Sequence, residues 1–286
     1  MRGKKVGFAL VLCCLLVCVQ GLAYAGTDSG LETFYEIVDE HQEHGMRSIG
    51  EEALAPGIAA LEELAQSEGE TALGGEANLH LGRLLASGGA AWETGVEKFV
   101  LAYDFGDVQS KAEALFELEW LYVLWRDEEL SVSPERISAE NAAAIFQEFL
   151  SALPRIPFEN MTRKEHDAVR LYVNAACYAP WFLYENPLEM RAEFEGQEDM
   201  WANYAETGGE AYLDKLMACS QYLEKIQAPT MWKAQVYTMI SEWYAFAGDD
   251  AQADIWLEKS LTDPDEFSMA EMDMTYFSDT IPFPFS

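Results

Sequence analysis

The sequence predicts an all-α fold, and three observations carry that expectation. Period-two alternation with β-branched residues is not sustained anywhere, so strand signals are nearly absent. Ala, Leu and Glu, which lose little on entering a helix, dominate the chain. Apolar and small residues return at steps of three and four, most clearly over Ala234–Pro264. There Tyr237, Ile240, Ser241 and Tyr244 mark one helix face, and Gly248-Asp249-Asp250 breaks it. Ala253, Leu257 and Ser260 then restart the period, and Asp263-Pro264 ends it.

Residues 1–25 read as a cleaved signal peptide. Met1-Arg2-Gly3-Lys4-Lys5 is a positive start, Val6–Val19 an apolar run short for a membrane span, and Ala23-Tyr24-Ala25 a small-x-small cleavage site. An uncleaved anchor is the alternative. A lipoprotein signal fits poorly, because bulky Val17 precedes Cys18. Export to the periplasm or outside the cell is therefore expected, with the mature chain not spanning a membrane. The mature chain would have 261 residues (286 minus 25), which suits a single domain over 26–286.

Each later element has its own signal. Leu31, Phe34, Tyr35, Val38 and His41 give a first helix over Leu31–His44. Pro56, suited to a first helical turn, opens a second helix carrying Ile58, Leu61 and Leu64. Gly75–Ala86 and Ala91–Tyr103 form a hairpin in which Leu81-Gly82 and Leu85 face Gly95, Phe99 and Ala102. Ala112–Arg126 is apolar around most of its surface and predicts a central helix. Ser138 caps Ala139–Leu153, which Pro154 ends, and Thr162 with Glu165 forms a capping box for Thr162–Tyr178. The segment 180–208 fits no hairpin register. It is an irregular insertion with Pro180, Pro187, many acids and a dense set of aromatics. A helix resumes over Ala211–Ile226. The tail 265–286 ends in alternating Pro and Phe, which forbids a helix and predicts an extended strap.

Small residues on one helix of a hairpin oppose large ones on the other, an arrangement that lets antiparallel helices interlock. In spacing and size pattern, Ala234–Pro264 resembles the tetratricopeptide repeat, a unit of about 34 residues, and Gly75–Asp104 resembles it more loosely. The resemblance implies a right-handed α-solenoid of stacked hairpins whose surface binds a protein or peptide. It supplies no clamp residues, since the Asn and Lys used by many such grooves are scarce here.

Composition narrows the partners. The chain has 18 basic and 50 acidic residues. Removing Arg2, Lys4 and Lys5 with the leader leaves 15 minus 50, or −35. Such a charge repels nucleic acid and anionic lipid, and it suits either a solubilising coat or attraction to a basic protein or to metal cations. No glycine-rich phosphate loop, Gly-x-Ser-x-Gly elbow or paired CxxC is present, so no catalytic residue and no cofactor is assigned.

The candidate site residues are few. Trp181, Phe182, Tyr184, Trp201 and Tyr204 of the insertion could line a groove for a partner. His41 and His44 share a helix face and could ligate a metal with a third ligand from elsewhere. They equally suit a helix C-terminus that favours positive charge. His80 and His166 read as structural. Cys177 and Cys219 either close one disulfide, worth about 4 kcal/mol, or are two small core residues. The expected function is an exported, non-enzymatic binding protein. The alternatives are an accessory component of an envelope solute-transport system holding an apolar ligand, and a metal-binding protein at His41 and His44.

Overall fold

The protein's structure, a computed structural model, describes residues 31–32, 34–36, 51–87, 92–120, 137–178 and 209–261. The expected leader 1–25, insertion 180–208 and tail 265–286 lie outside these residues. All the regular structure among the described residues is helical. The helices are α1 (Glu51–Glu68), α2 (Ala72–Ser87), α3 (Trp92–Phe105), α4 (Val108–Trp120), α5 (Ala139–Ala152), α6 (Arg163–Tyr178), α7 (Gly209–Lys225), α8 (Thr230–Phe246) and α9 (Asp250–Ser260). A short 3-10 turn, Phe158–Asn160, precedes α6. They fall into two compact units, one up to Ala152 and one from Leu153.

Local chemistry sets most boundaries. The capping box is made as the sequence predicts: Glu165 N donates to Thr162 Oγ1 at 3.3 Å, and Thr162 N donates to Glu165 Oε2 at 2.7 Å. Ser138 Oγ accepts from Asn141 N at 3.2 Å and starts α5. Three further caps carry α2, α4 and α9: Thr71 accepts from Gly74 N, Asp107 from Ser110 N, and Asp249 from Gln252 N. At Gly248, φ is +78°, a left-handed turn open to glycine without a steric cost. Several helices start earlier than expected: the one expected from Gly75 starts at Ala72, and the one expected from Ala112 starts at Val108. α1 begins at Glu51, so Pro56 lies inside the helix rather than at its first turn.

In the first unit α1 packs on α2, α2 on α3, α3 on α4 and α4 on α5, and α2 also touches α4. Leu31, Phe34 and Tyr35 are buried with Leu61 and Leu64 of α1 and Ala77, Leu81 and Leu84 of α2. Phe34 and Tyr35 match the predicted face of the first helix; Val38 and His41 lie outside the described residues. The α2–α3 hairpin is antiparallel and very close. A Cβ at Gly75 would fall 2.3 Å from Gly106 N, and one at Gly82 would fall 2.7 Å from the Phe99 ring. Small residues on α2 therefore admit the bulk of α3, as the size pattern predicts. In α4, Ala112, Ala114, Leu115, Phe116 and Leu118 are all buried, as a central helix requires.

In the second unit α6 packs on α7 and α8, α7 on α8, and α8 on α9. The α8–α9 hairpin is antiparallel, with the Tyr237 and Trp256 rings 5.5 Å apart. Ser241 Oγ donates to Ala253 O at 2.8 Å, so the small residue expected at the close approach lies against its partner helix.

Candidate functional site

On α2 and α4 the sequence sets charge beside apolar residues. Arg83 falls between Gly82 and Leu84, and Glu113 and Glu117 are interleaved with Ala112, Ala114, Leu115, Phe116 and Leu118. Because α2 and α4 touch across the intervening α3, these side chains meet. Arg83 Nε donates to Glu117 Oε1 at 2.6 Å, and Arg83 Nη2 lies 2.8 Å from Glu113 Oε2. Gln109 Nε2, one turn earlier on α4, donates to Glu113 Oε1 at 2.9 Å. Nη2 and Glu113 Oε2 are in ionic contact without lining up a hydrogen bond, so that oxygen lacks a donor. Arg83, Glu113 and Glu117 are all buried, at 7%, 2% and 7% exposure. One guanidinium thus faces two carboxylates away from bulk water. Taking charge from water is costly, and apolar side chains would fill these positions more cheaply.

The pattern recurs on other helices. Buried polar residues sit at i, i+3 and i+7 on α4 (Ser110, Glu113, Glu117) and on α6 (Asp167, Arg170, Asn174). On α8, Gln235 and Thr238 are buried at the same step. Arg170 Nη2 holds Asp167 Oδ1 at 3.1 Å, and Thr238 Oγ1 has no hydrogen-bond partner. Helices that carry these residues touch across the chain's alternate order: α4 touches α2, which bears Arg83, and α6 touches α8.

The residues singled out from the sequence fare unevenly. Trp181, Phe182, Tyr184, Trp201 and Tyr204 lie outside the described residues, as do His41 and His44. Among the described residues no group of three or more His, Cys, Asp or Glu is placed to hold a metal ion. His80 is buried and its Nε2 shares a 3.1 Å hydrogen bond with Tyr35 Oη. The His166 ring stacks on Phe158 at 4.2 Å, and its Nε2 lies 2.9 Å from Phe158 O. Trp232 on α8 and Trp256 on α9 are buried, and Trp243 on α8 is half-buried.

Cys177 on α6 and Cys219 on α7 are two buried thiols, and the bridge offered between them is not formed. Helix register accounts for this. Tyr212 Oη donates to Cys177 O at 3.3 Å, which puts Cys177 level with the start of α7. The Tyr172 and Tyr222 rings, 5.4 Å apart, and the electrostatic coupling of Cys219 to Tyr172 put Cys219 farther along the pair. The seven residues from Tyr212 to Cys219 rise about 10 Å, whereas bridged cysteines need Cα atoms within about 7 Å. Burial raises the Cys219 thiol far above its ordinary range, which favours its protonated form. Burial also raises Tyr172, with smaller contributions from Cys219 and Tyr222.

Arg83, Glu113 and Glu117 were not singled out from the sequence, because 50 carboxylates make any acidic pair unremarkable. The legible signal was narrower: Glu113 and Glu117, one turn apart, are interleaved with the apolar residues of α4. No helix among the described residues is long and apolar enough to cross a membrane. No family model, curated protein or solved structure matches the chain.

Proposed function

We propose that this is an exported, non-enzymatic binding protein. In this reading stacked helical hairpins form a right-handed solenoid of tetratricopeptide-like type, and the α2–α4 seam receives a basic side chain of a protein or peptide partner. The observation that carries the reading is the Arg83–Glu113–Glu117 cluster. It holds one more carboxylate than guanidinium, in a place where an apolar residue would cost less. The hairpin packing supports the scaffold part: Gly82 against Phe99, and Ser241 against Ala253. The acidic excess of the whole chain supports the cationic partner, since it would draw such a ligand in by long-range attraction. The signal-like residues 1–25 support export, and mass measurement of the exported chain, with Gly26 as its first residue, tests that part.

The test of binding uses an array of short lysine- and arginine-containing peptides, each with a matched glutamine-substituted control. The cationic members should bind the mature chain more tightly than their controls, and binding should weaken as salt rises. Glu117→Gln should weaken it about tenfold, equivalent to about 1.4 kcal/mol. Glu62→Gln, an exposed acid on α1, should leave it unchanged. Equal losses for both substitutions, with both variants melting like the parent, would reduce the effect to general acidity and sink the site.

A further inference from the structure

We draw no further inference here: the strongest candidate, the exposed apolar side chains Phe246, Ile255 and Leu261 along the last helical hairpin, carries nothing because nothing in the structure shows what covers them.

Discussion

Ser241 joins two demands at one position. Its small side chain lets α9 approach α8, and its hydroxyl donates to the Ala253 carbonyl at 2.8 Å. Replacing it with Trp removes that hydrogen bond and forces bulk into a filled contact. Ser241→Trp should cost more than about 2 kcal/mol. A thermal melt unchanged by the substitution would show that the two helices do not meet there. Gln227 makes the opposite case. It closes α7 with φ of +56°, a left-handed conformation awkward for any residue with a Cβ. Ala228 N reaches back to Leu223 O at 2.9 Å, the reversed bond of a glycine-type helix stop. Gln227→Gly should therefore raise stability by about 0.5–1 kcal/mol, read as a higher urea midpoint. The turn at Gly248 was legible from the sequence because glycine advertises its backbone freedom. Gln227 carries no such mark, since the conformation is imposed by the helices on either side.

Among the elements, α6 and α7 show how a helix pair couples stability to pH. Tyr172, Cys219 and Tyr222 lie together, and burial is the largest cause of the upward shift in each. In the unfolded chain the thiol titrates near about 8.5 and the tyrosines near about 10. Above those values the unfolded chain has given up protons that the folded chain keeps. It then binds fewer protons than the folded state, so stability falls as pH rises. The expected outcome is a flat urea midpoint from neutral pH to about 8, followed by a steady decline through pH 10. Cys219→Ala should remove the earliest part of that decline. An unchanged midpoint at pH 10.5 would mean that these side chains are solvated in the folded state. The same pair explains why the cysteines were ambiguous in the sequence. Periodicity places both on buried helix faces, but the sliding register between α6 and α7 decides whether they meet. Caps behaved differently. Thr162 and Glu165 are three residues apart in one chain segment, so their reciprocal hydrogen bonds follow from local geometry alone.

Across the molecule, acidic residues exceed basic ones by 32. Repulsion among so many like charges opposes compaction, and it is screened within about 10 Å at 0.1 M ionic strength. Adding neutral sodium chloride up to about 0.5 M should raise the melting temperature and then level off as the Debye length nears the spacing of neighbouring charges. A melting temperature that falls with salt would assign a larger role to attraction between exposed opposite charges, not to the pairs of Arg83 with Glu113 and Glu117. Those pairs are buried and should respond little, because salt screens exposed charges far more than covered ones.

What the sequence by itself determined is the part written in neighbouring residues. The helical class, the caps at Ser138 and Thr162, the break at Gly248 and the small residues at hairpin contacts all depend on side chains a turn or so apart. Tertiary structure alone decided which distant residues share a place. It brought Arg83 to Glu117, 34 positions along the chain, and it held Cys177 and Cys219 about two helical turns out of register. Periodicity specifies which face of a helix turns inward. It leaves free how far one helix slides along another, and that is set only when every contact of the packed unit is satisfied together.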